Sequence, residues 1–405
     1  MLSIKKSDLL ISDKLMDSEI DRFVSILGEK TWKKKIKNFQ NEIKSSNTIY
    51  YGNYLIQRNP LLVPLEQYFS LIESDKVIQR HNSVELKLLF SISWCANKMF
   101  SDANAIGKER IWGFLFSEDV RPFIFEIQTV THLLRNGFEV ELNDINSTDS
   151  NAPNFDFIVR KGSFTGEVEC KRKNPDAGSK VPRDTFYRLA DLIVNQIRGA
   201  GYHMLIDIRL KNCLAGSSIS FKEVSQLLHR TILAGKSYCV VDENLSIHIE
   251  VLPTNLVVEN DAQANILLKK YRTGREHIAI LGGEGLLVIR AESESNDQML
   301  TAIYKSLKKT VKQFSGNNAA LIATYVEGIT MEEFQVLLDD GGLRLVAQRF
   351  FKNTERDFIH TVAFTSDQTI TGNGPVYTSS GPVAFWDNYQ SKYSYKVNPF
   401  GLKGL

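Results

Sequence analysis

Apolar residues recur at helical spacing through the first part of the chain. Leu15, Ile20, Phe23, Val24 and Leu27 form one stripe; Trp32, Ile36 and Phe39 form another, along the lysine-rich segment Lys30 to Lys37. From Ser83 to Phe100, Val84, Leu86, Leu88, Leu89, Ile92, Trp94 and Cys95 fall on more than one side, which predicts a helix buried over much of its surface. At Val120 the pattern changes. Phe123, Ile124, Ile127, Val130, Leu133 and Leu134 keep a period near that of a helix, with Pro122 suited to its first turn and Asn136-Gly137 to its end. Phe138, Val140 and Leu142 then alternate with Glu139 and Glu141, which is strand spacing.

A polar loop, Asn143 to Asn154, precedes two further predicted strands, about Phe155 to Arg160 and Phe164 to Lys171, with a turn at Lys161-Gly162. A helix over about Asp184 to Ile197 and a strand over His203 to Leu210 follow. Farther on, a strand lies within 238–251, and His277–Leu281 and Leu286–Arg290 read as a hairpin around Gly282-Gly283-Glu284-Gly285. A helix spans about Asn296 to Phe314, and Ala319 to Tyr325 reads as a buried strand. The order helix, strand, strand, strand, helix, strand over 119–210 predicts an α/β fold with a central mixed sheet flanked by helices. The composition shift near 118 separates a helical N-terminal region, 1–118, from an α/β domain with a C-terminal α/β extension, 119–405.

Composition narrows the class. With 43% hydrophobic and 24% charged residues, the chain has the make-up of a globular protein and not of a disordered one. Lys and Arg number 49 against 47 Asp and Glu, so net charge does not announce a nucleic-acid partner, and local patches decide. The N-terminus is charged every few residues and does not read as a secretory signal. The four cysteines lack CxxC spacing and read as reduced thiols, which favours a cytoplasmic location, and no apolar run reaches the roughly 18 residues of a membrane-crossing helix, so no membrane partner is expected.

The chemistry concentrates between Pro153 and Lys173. Glu167, Glu169 and Lys171 repeat every two residues and therefore share one face of a strand. If the two strands pair around Lys161-Gly162, Asp156 approaches Glu169 across the ladder, and two carboxylates and a lysine converge. Hard oxygen donors of this kind suit Mg²⁺, which keeps several waters and needs one or two carboxylates. Such an ion lowers the pKa of a bound water and neutralises charge on a phosphate. The Cys170 backbone carbonyl offers a further ligand, with its thiol on the packed face. On the triplet alone, an ion-paired, solvated strand face is the plainer reading.

Asp156 followed by Glu169-Cys170-Lys171 resembles the PD-(D/E)xK signature of the restriction-endonuclease-like nuclease superfamily, whose core has the same element order. Asn154 precedes Phe155-Asp156, and Pro153 is displaced, a departure the family tolerates. The resemblance implies a metal-dependent endonuclease, a phosphodiester hydrolase with Mg²⁺ or Mn²⁺ as cofactor and DNA ahead of RNA as substrate. It also implies a bacterial defence or restriction role. Asp156, Glu169 and Lys171 would be catalytic, and Glu126, Asp156, Glu169 and the Cys170 carbonyl would hold the metal. Glu167, Arg188 and Gln196 would support the site. Arg172, Lys173, Lys180 and Arg183 flank it as candidate nucleic-acid contacts. A homodimer, and a partner protein at the N-terminal region, are further expectations. A catalytically inactive nucleic-acid-binding protein of the same fold, or an RNA-directed toxin-like nuclease, stays open as an alternative. Two other basic stretches stand out: Lys30 to Lys37, read as an ordinary exposed helix face, and the stripe Lys305, Lys308, Lys309 and Lys312 on the late helix, a candidate contact for nucleic acid or a partner.

Overall fold

The computed structural model describes residues 3–4, 16–45, 59–73, 83–117, 119–143, 153–174, 176–197, 202–214, 220–254, 277–281, 285–327, 331–366, 369–371, 378–380, 383–393 and 397–402, with 52, 55–56, 258, 263, 266–267, 270–271 and 395 singly or in pairs. Leu15, most of the loop 143–154 and Gly282 to Glu284 lie outside the described residues. After a short strand β1 (Ser3–Ile4) come α1 (Met16–Leu27), α2 (Glu29–Ser45), α3 (Leu62–Glu73), α4 (Val84–Asp102) and α5 (Ala105–Phe116). Next are α6 (Arg121–Arg135), β2 (Glu139–Leu142), β3 (Phe157–Lys161) and β4 (Phe164–Lys173). The middle of the chain forms α7 (Arg183–Ile197), β5 (Met204–Leu210), α8 (Phe221–Leu233), β6 (Tyr238–Val240), β7 (Leu245–Val251), β8 (His277–Leu281) and β9 (Leu287–Ser293). The rest forms α9 (Met299–Thr310), β10 (Ala319–Val326), α10 (Met331–Asp339), α11 (Gly342–Phe351), β11 (Ile359–Thr365), β12 (Thr369–Thr371), β13 (Thr378–Ser380) and β14 (Val383–Asp387). The fold is α/β with two mixed sheets and a small β12–β13 pair. Among the described residues no helix is long and apolar enough to cross a membrane.

The chain divides into two compact units. One joins Met1–Phe39, Arg58–Asn174 and Leu300–Leu405; the other joins Gln40–Gln57 and Pro175–Met299. Nearly all of the helical region therefore shares a unit with the first sheet, and the division does not fall at 118.

The first unit is built on a seven-stranded sheet ordered β1-β2-β3-β4-β10-β11-β14. β4 sits in its middle, antiparallel to β3 and parallel to β10. β10 reads Ala-Ala-Leu-Ile-Ala-Thr-Tyr-Val, the near-continuous apolar run of a strand covered on both faces. α6 lies against one face, where Phe125 stacks on Tyr325 with ring centres 5.4 Å apart. The end of α6 follows from its sequence. Gly137 takes a left-handed φ of 82° and donates its amide to Leu134 O at 2.9 Å, while the Phe138 amide reaches Leu133 O at 3.1 Å, closing a Schellman turn. Part of the basic run on α2 is structural. Lys35 Nζ donates to the carbonyls of Leu115, Phe116 and Ser117 at 2.9–3.0 Å, placing a cation at the negative end of α5.

The strand expected to close the core, His203 to Leu210, does not join this sheet. As β5 it lies between β7 and β9 in the five-stranded sheet of the second unit, ordered β6-β7-β5-β9-β8. The partner of β4 is instead β10, which sets Ala320, Ile322 and Thr324 beside Glu167, Glu169 and Lys171. These side chains complete the flank of a strand whose own carboxylates are buried. β5 carries Asp207, which is met in its own sheet by arginines.

In the second unit α7 and α8 cover one face of the sheet. Phe186, Leu189, Ile193, Val224 and Leu228 pack with Ile206, Ile208, Ile247 and Ile289. The other face gathers Leu205, Leu252, Ile280 and Val288. β8 and β9 form the expected hairpin. Asp207 is buried, accepting from Arg290 Nε and Arg209 Nε, each at 2.9 Å. Burial alone would push its carboxyl up; the Arg290 and Arg209 bonds and charges outweigh this and hold it below the ordinary carboxylate value. Removing one partner of a buried pair costs about 3–5 kcal/mol, so Asp207→Asn is expected to destabilise this unit by about 3 kcal/mol, the lower end, since Arg209 can return to solvent. Because the folded pKa is depressed, the contribution is whole above the unfolded value of about 4 and is lost as pH falls through the folded value. Denaturant unfolding followed at neutral pH and at decreasing acid pH checks this: wild type and variant should converge in acid.

Candidate active site

β3 and β4 pair as a hairpin around Gly162, which takes a left-handed φ of 58° that a residue with a Cβ adopts at a cost. The register sets Phe157 opposite Val168, so Asp156, immediately before β3, falls level with Glu169. The two are tied reciprocally. The Cys170 amide donates to Asp156 Oδ2 at 2.6 Å, and the Asp156 amide donates to Glu169 Oε2 at 3.1 Å. Asp156 is 7% exposed and Glu169 1%, which replaces the solvated strand face with two buried carboxylates. Each thus accepts from the backbone of the other's strand, which recovers part of the desolvation cost. Lys171, one step along the same face, forms an ion pair with Glu169 Oε1.

Thr324 stands beside Lys171 in the β4–β10 register. Its hydroxyl is buried and has no hydrogen-bond partner among the described residues. It carries no sequence signal, since it is one hydroxyl within an apolar strand, and only the pairing of β10 with β4 brings it here.

Glu167 has a different task. It shares the face of Glu169 but accepts from the Ser315 amide at 2.9 Å, the Asn318 Nδ2 at 3.0 Å and the Ser315 hydroxyl. It anchors the turn that leads into β10. Cys170 turns its thiol to the α6 face, against Thr129. Burial pushes that thiol well up, and the nearby charges of Asp156, Glu126 and Glu169 push the same way. Glu126, half-buried on α6, therefore approaches Cys170. Among the described residues, however, no group of three or more His, Cys, Asp or Glu side chains is arranged to hold a metal ion. The structure brings Asp156, Glu169 and Lys171 together and does not bring Glu126 into a three-ligand set.

The flanking residues disperse. Arg172 is not a surface cation. It points to the α6 face, where its guanidinium pairs with Asp119 Oδ2 at 2.6 Å and with Glu327, and Arg121 binds the same two carboxylates. Burial alone would raise the Asp119 carboxyl, but the bond and charge of Arg121 and the charge of Arg172 hold it low. Lys173 stays on the Lys171 face; burial, then the charges of Lys171 and Lys309, push its ammonium pKa down. Lys180, Arg183, Arg188 and Gln196 belong to the second unit. There Lys180 Nζ donates to Asn212 Oδ1 at 3.0 Å, the Arg183 amide donates to Asp176 Oδ1 at 2.5 Å, and Arg188 pairs with Asp184 at 3.1 Å. Gln196 is exposed on α7. The reason is the displaced strand: α7 packs on the β5 sheet and is not the second core helix of the β4 sheet. A cavity of about 230 Å³ lies on the α6 face, lined by Gln128, Thr129, Leu321, Ala323 and Thr365, and none of the carboxylates lines it.

As donors, Asp156 and Glu169 fit a hard divalent ion that keeps most of its waters, and they do not fit an ion that needs three protein side chains. The orphan Thr324 hydroxyl adds a polar group beside Lys171 that a water or a ligand oxygen would satisfy. Comparison of the chain with protein-family models, with curated proteins and with solved structures finds no match.

The division of labour between the two glutamates is testable. Glu167→Gln keeps the shape but loses the charge that two donors and a hydroxyl address, so about 1–3 kcal/mol of stability should be lost. Urea unfolding should report that loss, while circular dichroism of the folded variant stays as in wild type.

Proposed function

We propose that the first unit is a metal-dependent nuclease site of the PD-(D/E)xK type, hydrolysing phosphodiester bonds, with DNA the favoured substrate. The observation that carries this reading is the buried pair Asp156–Glu169, each held by the other strand's amide, with Lys171 paired to Glu169. Leaving two carboxylates and an unpartnered hydroxyl inside a packed sheet is costly, and such costs gather at functional sites. The element order supports it as well. α6, β2, β3, β4, α9 and β10 run helix, three antiparallel strands, helix, parallel strand, with the second unit inserted between β4 and α9.

In this reading Asp156 and Glu169 would hold Mg²⁺ or Mn²⁺, which when bound would activate water and offset charge on the phosphate. Lys171 orients that water and donates to charge developing on the phosphate oxygens. Glu169 fixes the ammonium through its second oxygen. Cys170 contributes its amide, which aims Asp156.

Incubating the purified protein with supercoiled plasmid and, in parallel, structured RNA, each with Mg²⁺ and with chelator, tests the reading. Cleavage should require the metal. Asp156→Ala and Glu169→Ala should each abolish it without unfolding the chain. Lys171→Ala should slow single-turnover cleavage by roughly 10²–10³ and Lys171→Arg should not restore it, because a planar guanidinium does not fill the place of a compact ammonium. Wild-type rates in Asp156→Ala would sink the assignment. Binding without cleavage would leave an inactive member of the same architecture.

A further inference from the structure

Of the basic residues expected to flank the site, Arg172 is held in an ion-pair network and Lys180 and Arg183 lie in the second unit, while the stripe on α9 ends in the turn that binds Glu167. α9 buries Ile303, Leu307 and Thr310 and exposes Lys305, Lys308 and Lys309, with Lys312 exposed in the turn that follows. These four recur at intervals of three, one and three residues, so they share one side of the helix. No described carboxylate lies within ion-pair distance of any of them.

The end of this stripe is pinned to the candidate site. The Asn154 amide donates to Gln313 O at 2.9 Å, and Gln313 Nε2 donates to Asn154 Oδ1 at 3.0 Å. Phe314 stacks on Phe155, ring centres 6.1 Å apart, and the Ser315 amide binds Glu167. Gln313 and Phe314 thus clasp the two residues that precede Asp156, and Ser315 holds Glu167. Lys309 lies close enough to Lys173 for its charge to lower the Lys173 pKa, and Lys173 follows Lys171 on the same face of β4. Lys171 and Lys173 share the face of β4 on which Ser315, in the turn after α9, binds Glu167, so the stripe leads toward that face. α11 packs on α9, where Gly342 leaves room for Leu300. From α11, Arg349 covers one part of the Tyr304 ring at 4.7 Å, and Lys308 stands 5.8 Å from its centre.

We propose that this stripe is the phosphate track of the site: the backbone of a polynucleotide lies along Lys305, Lys308, Lys309 and Lys312 and is led past Lys173 to Asp156 and Glu169. From Lys305 to Lys312 the stripe rises about 10 Å, and each strand of a duplex carries one phosphate per about 3.4 Å of duplex axis, so a stripe laid along that axis meets about three phosphates of one strand. Tyr304, the aromatic residue among these lysines, has its ring occupied by cations and offers no stacking platform. Recognition is therefore of phosphates and independent of sequence. The destination of the track rests on the nuclease reading; the track itself does not.

Fluorescence anisotropy of a short labelled DNA duplex in chelator reads the track without cleavage. The quadruple Lys305→Gln, Lys308→Gln, Lys309→Gln, Lys312→Gln variant should bind roughly 10- to 100-fold more weakly, and its log K against log salt slope should fall in magnitude by about 3. The four corresponding Lys→Arg changes should retain affinity and slope, which separates charge from folding. Lys30→Gln, Lys34→Gln, Lys37→Gln on the exposed face of α2 should change neither. Unchanged binding in the quadruple Gln variant overturns the proposal. So does loss of binding to phosphatidylserine vesicles in that variant while duplex binding persists, which would make the stripe a membrane contact. If duplex binding depends on the stripe but wild type with Mg²⁺ never cleaves, the nuclease reading fails and the track stands. If wild type cleaves and the quadruple Gln variant cleaves equally well at subsaturating substrate, the track fails and the nuclease reading stands.

Discussion

Strand β4 holds two carboxylates, Glu167 and Glu169, in the middle of a sheet, and the start of β3 adds Asp156 beside them. All three are nearly inaccessible to water. A carboxylate in such a place is tolerated only when its oxygens are met by donors. The surroundings follow from that requirement. The turn before β10 brings the Ser315 amide and Asn318 to Glu167. The β3–β4 hairpin brings the Asp156 and Cys170 amides to Glu169 and Asp156. Lys171 supplies the charge. A slip of one residue in the β3–β4 register would turn Asp156 to the other face and break both amide–carboxylate bonds between it and β4.

The two faces of β4 divide the work. Even-numbered residues face α6, and there Arg172 and Arg121 bind Asp119 and Glu327 in a four-charge network that joins the start of α6 to the ends of β4 and β10. Odd-numbered residues face the turn after α9 and carry the candidate chemistry. Arg172 and Lys173 are neighbours in sequence, yet one is consumed in structure and the other stands among cations. Alternation along the strand alone separates them.

If the first unit is a nuclease site, its cations form a path and not a patch. The stripe on α9, Lys173 and Lys171 make a graded approach to two carboxylates that would otherwise repel a phosphodiester. A polyanion needs such an approach, because the buried carboxylates give it no reason to enter.

The chain's own pattern determined most of the local structure. Helical spacing placed α1, α2, α4 and α6, and Asn136-Gly137 ended α6 because a glycine reaches the left-handed conformation that a Schellman turn demands. Alternation around Lys161-Gly162 gave the β3–β4 hairpin, and with it the approach of Asp156 to Glu169, since a tight turn fixes register. What local pattern could not decide was which distant strand lies beside β4. β5 and β10 are both short apolar runs after a helix, and sequence order favoured β5. The tertiary structure chose β10, whose Ala320, Ile322 and Thr324 lie against the buried carboxylates and Lys171, while Asp207 of β5 found Arg290 on β9. That choice moved Arg188 and Gln196 to another sheet and brought Thr324 beside Lys171 and the turn after α9 to Glu167. Pairing between strands far apart in sequence is set by the packing of whole faces, and no spacing of residues along one segment encodes it.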